Sequence, residues 1–120
     1  MTHAALSVLL FGVYMLGEGL ILLIMPNFLL SIFGIPETHE VWVRVVGICL
    51  LVFSYYYIRS ARINDVAFFR FTTQGRTLQF VLFIAVVLLA NAPVVLIMFS
   101  AVELASGIWT FIALRGEKSA

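Results

Sequence analysis

The chain has 120 residues, of which 63% are apolar and only 11% charged, with a formal net charge of +1. A soluble domain needs roughly 25% charged residues to cover its surface, and a core of this length cannot hide so much apolar area, so lipid has to be the missing solvent. The near-neutral balance excludes the clustered basic surface of a nucleic-acid-binding protein, and the single Cys49 excludes an internal disulfide, a CxxC redox motif and a four-cysteine zinc site.

The first apolar run, Ala4 to Met25, ends at Pro26-Asn27. It lacks a basic start and a small-residue cleavage site, so it reads as a retained helix rather than a signal peptide. The connection Phe28 to Ile35 is apolar but too short to span. It is expected to lie along the membrane surface or to pack over the bundle's mouth as a greasy lid. Val41 to Ile58 is the second run, with Cys49 in its middle as an expected packing residue. The third, Thr77 to Ala90, has only 14 residues. That is about 21 Å of helix against a hydrocarbon core of about 30 Å. The helix is therefore placed from the cap-like Asn64-Asp65, over 66–90. Pro93 to Leu114 is the fourth run, with Asn91 as its expected cap and Pro93 in its first turn. The predicted fold is all-α: one domain over 1–120, a polytopic four-transmembrane-helix bundle with a short apolar interfacial segment after the first helix.

Four spans put both termini and the second loop on one side. That side holds Arg59, Arg62, Arg70, Arg76, Arg115 and Lys118, whereas the other has Arg44 beside Glu37 and Glu40. The bias predicts cytoplasmic termini in the cytoplasmic (inner) membrane, with Tyr55-Tyr56-Tyr57 and Trp42 at the two interfaces.

Glu18 and Glu103 lie inside spanning runs, where a carboxylate costs a few kcal/mol or more and is expected to face the bundle interior. From helical rise, Glu18 is about 10 Å and Arg44 about 5 Å below the outer boundary. Glu103 is about 15 Å and Arg76 about 21 Å below the same boundary. An arginine side chain bridges each difference, which predicts the pairs Glu18–Arg44 and Glu103–Arg76 as an intramembrane polar centre. Helical spacing places these residues on small or polar stripes: Ser7, Tyr14 and Glu18; Arg44, Gly47, Leu51 and Ser54; Thr72, Arg76, Gln79 and Phe83; Ser100, Glu103, Gly107 and Thr110. Ala101 and Ala105 form a small-xxx-small pair that permits close helix approach. Phe11, Tyr14, Phe53, Gln79, Phe83 and Trp109 are candidates to line a pocket for a lipid or quinone-like molecule. His39 between Glu37 and Glu40 is a poor metal signature, and no HExxH, GxSxG or phosphate-cradling glycine loop occurs. No metal or cofactor is expected.

The segments Val43-Arg44-Val45-Val46-Gly47, Tyr55-Tyr56-Tyr57-Ile58-Arg59-Ser60-Ala61-Arg62, Gly75-Arg76 and Gly107-Ile108-Trp109-Thr110-Phe111-Ile112-Ala113-Leu114-Arg115 resemble small bacterial four-helix membrane proteins of the DoxX-like kind. The resemblance implies the four-helix plan and no particular activity. The expected function is that of a non-enzymatic accessory or hydrophobic-ligand-binding membrane protein, partnered by the lipid bilayer and by a lipid or hydrophobic small molecule. It is also expected to meet a second copy or a larger membrane partner. The alternatives are a small proton-coupled transporter of lipophilic or cationic solutes, which requires Glu18 and Glu103 to share a proton, and a membrane-embedded enzyme acting on a lipid-like substrate.

Overall fold

The computed structural model describes residues 2–119, and side chains through Gly116, so that Lys118 lies outside the described side chains. Its elements are α1 (His3–Ile24), α2 (Pro26–Ile32), α3 (Trp42–Arg62), α4 (Val66–Ala90) and α5 (Val95–Ser119). All but α2 contain a stretch long and apolar enough to cross a membrane. The protein is therefore an all-α, multi-pass membrane bundle. Its outer faces carry large apolar side chains such as Ile24, Leu88, Leu89 and Ile112, which are more than half exposed and have lipid as their natural solvent. Cys49 belongs to that exposed face rather than to the packed interior expected for it.

The helix ends follow local chemistry. The Thr2 side chain accepts from Ala5 N at 3.0 Å to start α1, and the Asp65 carboxylate accepts from Phe68 N at 3.2 Å to start α4. The third span thus begins where its length demanded. Asn64 takes the left-handed conformation (φ 53°) in the tight α3–α4 turn, which an asparagine tolerates. Asn91 does the same (φ 54°), and so closes α4 rather than capping the next helix. Pro93 disfavours helical backbone at Ala92, and the next helix, expected from Pro93, starts at Val95 after a turn in which Leu96 N donates to Pro93 O at 3.1 Å. The apolar connection after α1 is itself a seven-residue helix, α2, started by Pro26. Asn27 clips the following loop back onto it, donating from Nδ2 to Thr38 O at 3.0 Å and accepting from Thr38 N at 2.9 Å.

Packing is uneven, and that decides where sites can form. Helix α1 is the hub, packed along α3 on one side and α5 on the other, with α4 against α5. Two glycines set the α1–α3 crossing. A Cβ on Gly47 would lie 2.8 Å from Gly19 O, and one on Gly19 would lie 2.9 Å from Gly47 O, so the two backbones touch there. Gly12 adds a second close approach, to Tyr57 and Ile58. By contrast, α3 and α4 scarcely touch beyond the turn that joins them. Tyr57 and Phe68 meet edge to face at 5.4 Å near that turn, and the helices are splayed beyond it. Ala101 and Ala105 lie on the exposed side of α5.

Candidate functional site

Arg76 is the polar centre of the bundle. It projects from α4 into the space Gly107 leaves on α5, where even a Cβ would sit 3.4 Å from the arginine's own Cβ and Cδ. The side chain is 1% exposed. Its Nη2 donates to Thr72 Oγ1 at 2.9 Å, and its Nη1 donates to Ser106 Oγ at 3.1 Å and Thr110 Oγ1 at 3.4 Å. Thr110 Oγ1 in turn lies 2.6 Å from Ser7 Oγ, so a chain of hydroxyls ties α4 through α5 to α1. The guanidinium also sits over the rings of Phe11 at 4.8 Å and Tyr57 at 5.3 Å, as expected for a cation on aromatic faces.

The expected ion pairs take a different form. Arg44 turns away from Glu18 and donates to the carbonyls of Leu23 and Ile24 at the end of α1. Those last carbonyls have no intrahelical partner and form the negative pole of the helix, so a guanidinium is well placed there. Arg76 lies within Coulombic reach of Glu103, but its hydrogen bonds go to hydroxyls. Glu103 also feels Glu18 through space, and Tyr14 feels both acids. Among the described residues, three buried side-chain polar atoms have no hydrogen-bond partner: Glu18 Oε2, Arg76 Nε and Glu103 Oε2. Groups of this kind are costly in an apolar interior and call for a partner or for neutralisation.

Two cavities use these groups, one in each half of the bundle. The first, of about 490 Å³, fills the splay between α3 and α4. Phe53, Phe71 and Tyr56 form its walls, Phe11 and Met15 of α1 its back, and Arg76, Gln79 and Glu103 its polar floor. The second, also of about 490 Å³, lies between α1, α2 and α5 towards the α2 end, and has Tyr14 and Glu18 in an otherwise apolar lining. Of the expected lining residues, Phe11, Phe53 and Gln79 border the first cavity and Tyr14 the second. Phe83 and Trp109 border neither. Trp109 is two positions past Gly107, about 200° round the helix from the face that receives Arg76. Phe83 is one turn beyond Gln79, past the end of the cleft.

Tyr57, Ser106 and Met15 contribute beyond the expected residues. Tyr57 shares an aromatic run with its interfacial neighbours. Yet it follows Ser54 by three and precedes Ala61 by four, and both of those are buried, so the α3 stripe carried the signal. No protein-family model, no curated protein and no solved structure matches this chain, and its function is therefore read from these two cavities and the polar atoms that border them.

Proposed function

We propose that the protein binds a lipid-like or quinone-like amphiphile, without chemistry on it, in the cleft between α3 and α4. One observation carries this: an apolar cleft of about 490 Å³ opens between two helices that scarcely touch, with a buried arginine, a carboxyl and an amide at its floor. That volume and that ratio of apolar wall to a few converging polar groups are typical of small-molecule sites. Gly75 borders the cleft and is exposed, so the ligand reaches it sideways from the membrane. Arg76 Nε offers a donor and Glu103 Oε2 a second polar contact, which fits a head group carrying both an acceptor and a hydroxyl. The DoxX-like motifs fit the same four-helix plan and select no activity.

Gly75 provides the test. Gly75 borders the cleft and a Cβ there meets nothing within 4 Å, so Gly75→Leu adds bulk at the cleft with no clash at Cβ and a small gain in helix propensity, under about 1 kcal/mol. Native mass spectrometry of the full chain from mild detergent should show a retained small amphiphile in the wild type and its loss in Gly75→Leu, at a thermal stability no lower than that of the wild type. Retention by the variant, or no retained species in the wild type across several mild detergents, would remove the proposal.

We also propose that the termini lie in the cytoplasm and the chain in the cytoplasmic membrane. Arg59, Arg62 and Arg70 are exposed at the end where Thr2 donates to Asn64 Oδ1 at 3.2 Å, and Arg115 is exposed near the end of α5. Arg76 is buried and does not add to this surface charge. Arg44, on the opposite side, is engaged with the end of α1. Positive residues at that face favour its retention on the cytoplasmic side. An alkaline phosphatase reporter fused after Gly116 should be inactive, and one inserted at Glu37 active. The reverse pattern would invert the topology.

A further inference from the structure

We infer that the cavity between α1, α2 and α5 is a second, separate site that takes a hydrophobic ammonium ion, with the Glu18 carboxylate holding its charge and aromatic rings enclosing its head. The inference does not rest on the α3–α4 cleft being a binding site. Tyr14 and Glu18 bring the only polar side chains to a lining that is otherwise aliphatic, sulfur-bearing or aromatic. Glu18 Oε2 is buried there without a hydrogen-bond partner. Neither arginine serves it: Arg44 is bound to the carbonyls ending α1, and Arg76 is bound to hydroxyls of α4 and α5 on the far side of the hub helix. A carboxylate in apolar surroundings is costly to bury as an anion and is relieved by a proton or by a cation, and it is the rest of the lining that selects the cation.

The rest of the lining defines that charge. Phe33 and Phe99 meet edge to face at 4.7 Å, and Tyr14 stands one turn before Glu18, with its hydroxyl towards the carboxyl. Three aromatic rings beside one carboxylate form the surroundings that attract an alkylated ammonium. A metal ion is a poor fit, because a hard cation needs six or more oxygens and one carboxylate with a phenol cannot replace its water. Val13, Met98 and Val102 at the rim are at least half exposed, so an alkyl tail can lie outward in lipid while the head reaches Glu18. Phe33 follows α2, so that short helix and its aromatic stop form the roof.

The test uses the full chain in discs of zwitterionic lipid, with dodecyltrimethylammonium as probe and dodecyl sulfate and dodecyl maltoside as chain-matched controls, followed by titration calorimetry. The expected result is saturable, one-to-one binding of the ammonium alone, above the non-saturable partitioning shared by all three. Glu18→Gln should weaken it at least tenfold. Gly17 borders the cavity and a Cβ on it meets nothing within 4 Å, so Gly17→Leu should block binding sterically while leaving the carboxylate in place. Gly75→Leu, which adds bulk at the other cleft, should bind the ammonium as the wild type does. Equal affinity in Glu18→Gln or in Gly17→Leu, saturable binding of the sulfate, or loss on Gly75→Leu would each overturn the assignment. Should Glu18→Gln not fold, Gly17→Leu decides alone.

Discussion

Gly47→Ala is expected to lower the stability of the bundle by about 3 kcal/mol, the top of the usual range for overpacking, and Gly47→Val to prevent its assembly. The added Cβ would sit 2.8 Å from Gly19 O and 2.8 Å from Leu23 N, both backbone atoms that cannot rotate away. Relief requires α1 and α3 to separate along their whole contact. In a membrane that contact has no hydrophobic effect behind it and depends on close van der Waals packing, of which a displacement of about 1 Å forfeits up to about half. Gly19→Ala should behave alike, since its Cβ would lie 2.9 Å from Gly47 O. Gly12→Ala should cost less, because one of its two nearest neighbours is the movable Cγ1 of Ile58. Gly17→Ala and Gly75→Ala meet nothing within 4 Å and should be neutral or stabilising by up to about 1 kcal/mol. Thermal unfolding in one detergent across the five alanine variants gives the ranking. A Gly47→Ala protein as stable as Gly17→Ala would show that the backbones do not touch there.

The glycines also show what kind of information the chain carries on its surface. Span positions were legible because hydropathy integrates over some twenty residues, and the start of α4 was legible because fourteen apolar residues cannot cross the hydrocarbon. The polar faces of α4 and α5 were legible from spacing, and they place Thr72, Arg76, Gln79, Glu103 and Thr110 at or beside one centre. Partners were not legible. Helical rise fixes depth but leaves the rotation of one helix against another open, so Arg44 and Glu18 matched in depth while the arginine found free carbonyls nearer its own axis. The same ambiguity hid which glycine faces a neighbour. Gly17 and Gly19 both flank Glu18, and only Gly19 touches α3, whereas Gly17 borders a cavity. Asn91 suits either end of a helix by composition, and Pro93 decided between them through the backbone it forbids.

Arg76 gives the sharper separation between holding the fold together and serving a ligand. Arg76→Ala should destabilise by about 3 kcal/mol, as large-to-small changes do where the site cannot collapse, because the guanidinium fills the space between the rings of Phe11 and Tyr57. Its hydroxyl partners, however, do not depend on it. Thr72 Oγ1 donates to Phe69 O at 2.8 Å, Ser106 Oγ to Glu103 O at 2.7 Å, and Thr110 Oγ1 to Ser106 O at 3.1 Å. Removing the arginine therefore strands no hydroxyl donor. Filling its volume with an apolar chain and neutralising the nearby acid, as in the double variant Arg76→Met, Glu103→Gln, should keep stability within about 1 kcal/mol of the wild type, since buried charges are often exchanged for apolar residues at no loss. The same double variant should lose the amphiphile retained in the α3–α4 cleft. Stability without retention means that the arginine is held in the membrane for what it binds. A double variant that falls as far as Arg76→Ala would instead make Arg76 a strut, with the cleft floor a by-product of its packing.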